Sequence, residues 1–136
     1  MLYTTTATNT DGINGLVFLS DFPEKIKVSH PLDNDLGFNP EQLIALSWST
    51  CLNATIQSLL KARGYAHINS KVDVTVDLQR ESNGVGFFFD IKAVATIWTL
   101  PLDIATDIVE SAHQRCPVSK LIKDAKTVQL SVQIAE

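Results

Sequence analysis

Cys51 and Cys116 are the only two cysteines in the chain, and no other side chains here could do chemistry as demanding. A thiolate can attack a peroxide O–O bond, become a sulfenic acid, and condense with a second thiol to form a disulfide. Those steps need one thiol with a lowered pKa and a second sulfur within disulfide reach. The two cysteines are 65 positions apart, so only the fold can bring them together. The competing reading is structural. Free cysteine is among the most buried residue types, and both cysteines lie on apolar helix faces.

Glu41 stands ten residues before Cys51, where its simplest role is to complement the positive end of a helix. His113 and Cys116 are spaced i, i+3, as two metal ligands could be. No second compact ligand cluster accompanies them, so no metal is expected, and His113 reads as a satisfied histidine near a helix end. Trp48 and Trp98 read as core, and Asp33 and Asp35 as a solvated turn.

The first cysteine must be positioned by the stretch from Asn39 to Gly64. Asn39 is a good N-cap, Pro40 suits the first helical position, and Gln42 completes a capping box. Gly64 can adopt the left-handed conformation that ends a helix. No charged residue lies between Glu41 and Lys61. Ile44, Trp48, Cys51/Leu52, Thr55/Ile56 and Leu59 form one apolar stripe opposite small or neutral polar groups, which predicts a helix surrounded by protein on most sides. The second cysteine follows a helix opened by Pro101, with Ile104, Ile108, Val109, Ala112 and Cys116 on its apolar face. Pro117 cannot continue that helix regularly, so the chain bends after Cys116, with a short helical turn through Leu121 and Ile122.

Strands are expected at Leu2–Thr8, Leu16–Ser20 and Lys25–Ser29, the first two joined by the turn-rich NTDGING. Alternation of Val72, Val74, Val76 and Leu78 with polar residues predicts a strand over 71–79. Phe87 to Trp98 reads as a longer strand, and Val128, Leu130, Val132 and Ile134 mark a final one. This order implies an α+β fold with mainly antiparallel sheet, as a single domain over residues 1–136.

A hydrophobic content of 45% with 19% charged residues fits a soluble globular chain. The net charge of −4 argues against a nucleic-acid partner. The opening MLYTTTATNT has neither the basic nor the apolar region of a signal peptide. Gln42, Asn53 and Gln57 make the long helix a poor membrane span. Two cysteines without a secretory signal suggest the reducing cytoplasm, where a pair is more often reactive or structural than a permanent staple.

NPEQLIALSWSTC, followed downstream by AHQRCPVSK, resembles the paired cysteine signatures of the organic hydroperoxide resistance and osmotically inducible protein family. LYTTTAT and DGINGLV resemble the first hairpin of the hydroperoxide resistance branch, whereas CPVSK is closer to the osmotically inducible branch. The resemblance implies an intertwined α+β homodimer with two dithiol sites at the subunit interface. It implies a peroxidatic Cys51, a resolving Cys116, and a Glu41 that holds an arginine against the reactive sulfur. The substrate would be an organic hydroperoxide. The reductant would be an external dithiol, typically a lipoyl group on another protein, with no bound cofactor. The family's arginine comes from the first hairpin loop, where the matching position is Ile13, and residues 1–24 contain no lysine or arginine. Arg115 and Arg80 are the substitutes the sequence offers. The alternative expectation is therefore a dimeric small-molecule-binding protein of the same fold with little peroxidase activity.

Overall fold

A computed structural model describes all 136 residues. In chain order it contains β1 (Ala7–Asn9), β2 (Gly15–Leu19), β3 (Ile26–Val28), α1 (Pro40–Ala62), β4 (Ser70–Arg80), β5 (Phe87–Trp98), α2 (Leu102–Arg115), α3 (Pro117–Ile122) and β6 (Val128–Ala135). The chain packs as two compact units, Met1–Leu43 and Ile44–Glu136.

In the first unit, β1, β2 and β3 form an antiparallel meander. Side chains build its first turn. Asn9 exchanges hydrogen bonds of 2.7 and 2.8 Å with Gly12, and the Asp11 carboxylate accepts the Leu16 N–H at 2.9 Å. β1 is shorter than the Tyr- and Thr-rich opening predicts. Ahead of it the Tyr3 and Thr5 hydroxyls donate to the Asp21 carboxylate, so side-chain contacts take over where the ladder stops. After β3 the chain returns to place Phe38 beside Val28, with the Phe38 N–H on the Lys27 carbonyl at 2.9 Å. Glycine is required at position 37, because a Cβ there would lie 2.8 Å from the Val28 carbonyl carbon. The capping box forms as predicted: Asn39 Oδ1 accepts the Gln42 N–H at 2.8 Å, and Gln42 Oε1 accepts the Asn39 N–H at 3.0 Å.

The second unit holds the hydrophobic core. β4 and β5 pair antiparallel over their full lengths, and β6 joins the other edge of β5 in parallel. A parallel neighbour needs a crossover connection, which α2 and α3 supply. The alternation read in β4 and β6 sorts as expected except at the strand ends, where Leu78 and Ile134 are exposed. Val72, Val74, Val76, Leu130 and Val132 pack against the core, while Asp73, Thr75, Gln129 and Ser131 are exposed. From β5, Ala93, Ala95 and Ile97 meet Ile108, Val109 and Ala112 of α2 and Trp48, Leu52 and Ile56 of α1, all buried in one cluster. Two short alanines on the central strand let the helices approach the sheet closely.

Gly64, at φ +86, ends α1 as expected, and the Tyr65 N–H reaches back to the Leu60 carbonyl at 2.7 Å. Just beyond, Arg63 pairs with Asp107 of α2 at 2.6 Å. By length and composition alone α1 could cross a bilayer. The residues on its apolar stripe are instead the buried ones: Trp48, Leu52, Ile56, Leu59 and Leu60. Within one chain the cover is partial, so the expectation of a helix covered on most sides depends on a second subunit. Leu46 is 53% exposed, and Thr50, Ala54 and Gln57 are exposed with it. Three strands and one long helix cover a single stripe of α1 and leave its uncharged opposite face open.

Candidate functional site

The helical period puts Cys51 on the border of the α1 stripe, beside the buried Leu52, where it is half-buried against the core. Cys116 arrives from the far end of the crossover. The α2 helix stops at Arg115 because Pro117 has no N–H to extend it, and Cys116 turns to an extended conformation at φ −61, ψ 121. Its own N–H still bonds the Ala112 carbonyl at 2.8 Å. Pro117 then opens α3, whose first turn donates the Ser119 N–H to Cys116 Sγ at 3.4 Å. The Cys116 side chain is completely enclosed.

This arrangement brings the two sulfurs to 3.0 Å from one another, with both thiols free. A disulfide bond is about 2.05 Å long, so closure requires an approach of about 1 Å. The geometric condition set by the sequence is met.

The electrostatic condition is not met within the chain. Burial pushes the Cys51 thiol above its ordinary pKa; the Val118 backbone N–H pulls it down, and the neighbouring Cys116 sulfur pushes it up again. None of these influences is a basic side chain. At this separation the Cys116 sulfur opposes a negative charge on Cys51.

Around the sulfurs lies a buried polar contact that the sequence did not reveal. Trp48 Nε1 donates to Ser119 Oγ at 2.8 Å, and both residues are wholly buried. Trp48 is core, as expected, but its indole N–H also has this specific partner. The Trp48 ring centroid lies 6.3 Å from that of His113, the planes tilted by 41°. His113 does not fit the expectation of a satisfied histidine, because its Nδ1 is buried with no hydrogen-bond partner. Burial, and secondarily Lys123, push the His113 pKa below its ordinary value. No group of histidine, cysteine and carboxylate side chains is arranged to hold a metal ion.

Glu41 occupies the first turn of α1, in the first compact unit, and is half-buried. Ile13, in the loop between β1 and β2, is 39% exposed. Of the two arginines considered as substitutes, Arg80 stacks over the Phe87 ring at 5.0 Å. Arg115 is exposed at the end of α2. The first unit also holds a cleft of about 610 Å³, lined by Phe22, Ile26, His30, Leu36 and Phe38 among others, with no cysteine in its wall.

Residues 32–131 match the family model for OsmC-like protein. An organic hydroperoxide resistance protein-like 2 from Staphylococcus epidermidis is 30% identical over 135 residues, covering 96% of this chain and 95% of that one. A solved organic hydroperoxide resistance protein from Elizabethkingia anophelis, with crystallant-derived thiocyanate bound, aligns with a TM-score of 0.85. It is 30% identical, and the match covers 99% of each chain. An organic hydroperoxide resistance protein from Legionella pneumophila also aligns with a TM-score of 0.85, at 26% identity, over 100% of this chain and 99% of its own.

Proposed function

The chain belongs to the OsmC-like protein family, and we propose that it is a thiol-dependent peroxidase that reduces organic hydroperoxides to alcohols. The observation that carries this reading is the pair of free sulfurs 3.0 Å apart, one half-open and one enclosed. The Cys51 thiolate attacks one peroxide oxygen and the O–O bond breaks. The departing alkoxide takes a proton to become the alcohol, leaving Cys51 as a sulfenic acid. Cys116 then attacks the Cys51 sulfur, an S–S bond forms as the S–O bond breaks, and water leaves. An external dithiol, of the lipoyl type, restores both thiols by exchange through a mixed disulfide, and no bound cofactor is required. Access supports giving the first step to Cys51, since Cys116 is closed to solvent.

The family resemblance supports a role for Glu41 as the carboxylate partner of the cation that a reactive Cys51 thiolate requires. The open, uncharged face of α1 supports a homodimer, because burying it against a second subunit would remove Leu46 and its neighbours from water. The proposed compartment is the cytoplasm, whose reducing conditions keep the dithiol available. The test compares consumption of an alkyl hydroperoxide by wild type and Cys51→Ser with a dithiol reductant. Consumption falls to background in the variant; equal rates would overturn the assignment.

A second reading is a small-molecule-binding protein of the same fold with little peroxidase activity. The raised Cys51 pKa, with no basic side chain acting on it, favours this reading. Titrating thiol reactivity against pH separates the two. A Cys51 pKa below the free value of about 8.5 supports the peroxidase, and one above it supports the binding protein.

A further inference from the structure

Two polar contacts between side chains join α1 to the segment from Cys116 to Ser119, and the proposed chemistry uses only one of them. That one is the approach of Cys116 to Cys51. The other is the hydrogen bond from Trp48 Nε1 to Ser119 Oγ, 2.8 Å long and closed to solvent. The two contacts are in register. Trp48 stands three residues before Cys51, and Ser119 three after Cys116, so each clamp residue lies about one helical turn from its cysteine. Ser119 also touches the sulfur itself, through the backbone N–H that reaches Cys116 Sγ at 3.4 Å. A buried indole N–H needs an acceptor, and the acceptor here is the residue whose amide meets the thiol.

We infer that Ser119, gripped by Trp48, is a positioning residue for disulfide closure, a role that rests on the dithiol chemistry proposed above. In that step Cys116 gives up its proton and its sulfur attacks the sulfenic sulfur of Cys51. The S–S bond forms, the S–O bond breaks, and the departing hydroxide takes the proton to leave as water. The sulfurs start 3.0 Å apart and must finish at about 2.05 Å. The indole–hydroxyl bond fixes the first turn of α3 against α1 while that gap closes. Without it the Cys116 sulfur drifts, and a misplacement of about 1 Å is enough to cost up to about a hundredfold in rate.

The experiment separates closure from peroxide attack in Ser119→Ala, Trp48→Phe and the double variant. In single turnovers with an alkyl hydroperoxide, Cys51 sulfenic acid forms at the wild-type rate in all three. Closure slows about tenfold or more, and Cys51 sulfinic acid accumulates at excess hydroperoxide, read by mass spectrometry. Because both residues act through one bond, the double variant is no slower than the more affected single. A second measurement needs no hydroperoxide. In glutathione redox buffers each variant holds its disulfide with an equilibrium constant about tenfold below wild type, since it has lost preorganisation. A wild type inert to hydroperoxide that still shows this glutathione difference defeats the peroxidase reading and upholds the role of Ser119. Unchanged closure and glutathione equilibrium in the folded Trp48→Phe variant overturn that role. So do equal slowing of both chemical steps and additive slowing in the double variant.

Discussion

Cys51 and Cys116 lie 3.0 Å apart, yet they are held in different ways. Cys51 is carried in the middle of a 23-residue helix, at the edge of its buried stripe and half-open to its surroundings. Cys116 sits where one helix has stopped and another is starting, enclosed on all sides and touched by a backbone N–H. A regular helix gives a side chain a fixed direction and leaves its backbone donors engaged. A break between helices frees backbone donors, here the Ser119 N–H for Cys116 and the Val118 N–H for Cys51, and leaves Cys116 on a backbone that can adjust. The difference suits the first to meeting a substrate and the second to closing on what the first has become.

The harshest way to break that comparison is to remove each sulfur in turn. Cys51→Ser is expected to abolish hydroperoxide consumption. Cys116→Ser is expected to consume about one equivalent and then stop, its sulfenic acid trappable by a dimedone-type reagent. The opposite pattern would reverse the assignment of roles.

A smaller effect is expected from alkylation of the reduced protein. Iodoacetamide should label the half-open Cys51 well before the enclosed Cys116, as peptide mapping would show; equal rates would remove the accessibility argument.

The pH dependence sharpens the contrast further. The folded state holds the Cys51 pKa above its ordinary value, chiefly by burial. With no basic side chain added to these influences, reactivity at Cys51 keeps rising with pH beyond the range where a free thiol has levelled off, the outcome that favours the binding reading. A rate that levels off below that range upholds the peroxidase and requires a cation beside the sulfur. The same shift acts on stability. The unfolded chain loses the proton first, so the contribution from Cys51 is fully present below the ordinary thiol pKa and is lost as pH rises through the folded value. Stopped-flow rates and thermal unfolding from neutral to alkaline pH measure the two effects.

The smallest effect belongs to the Cys116 side. His113, three residues before Cys116 and next to Trp48, has a depressed pKa, mainly through burial. The unfolded chain takes up the proton first as pH falls, so stability present above the ordinary histidine pKa declines below it. Wild type should lose slightly more of its melting temperature than His113→Gln between neutral pH and mildly acid pH. A parallel decline in both would place the loss elsewhere.

Much of this was legible in the residues. The Asn39–Gln42 box, the neutral stripe, Gly64 and the Pro117 stop define where each cysteine-bearing helix begins or ends, because caps and breakers act within a few residues. The alternation in β4 and β6 gave the buried face of the sheet by the same local logic. What was not legible depends on contacts between distant segments. Nothing near Ser119 marks it as the acceptor for an indole 71 positions away. Nothing around His113 shows that its Nδ1 would be enclosed without a partner. The parallel pairing of β6 to β5 was equally hidden, since the strand pattern is the same for either direction. How much of α1 its own chain covers was not legible, because a charge-poor face looks the same in sequence whether the same chain or another covers it.

That parallel pairing bears on how the chain assembles. β6, residues Val128–Ala135, is made well after β5 and occupies the edge of β5 opposite β4. Until it docks, a nascent chain shows an edge from Ile91 to Trp98, rich in Ile, Ala and Val, with its N–H and C=O groups unpaired along that side. Such an edge recruits other strands readily. β6 thus acts as the chain's own guard against aggregation. Shortening it is expected to give inclusion bodies rather than a slightly weaker protein.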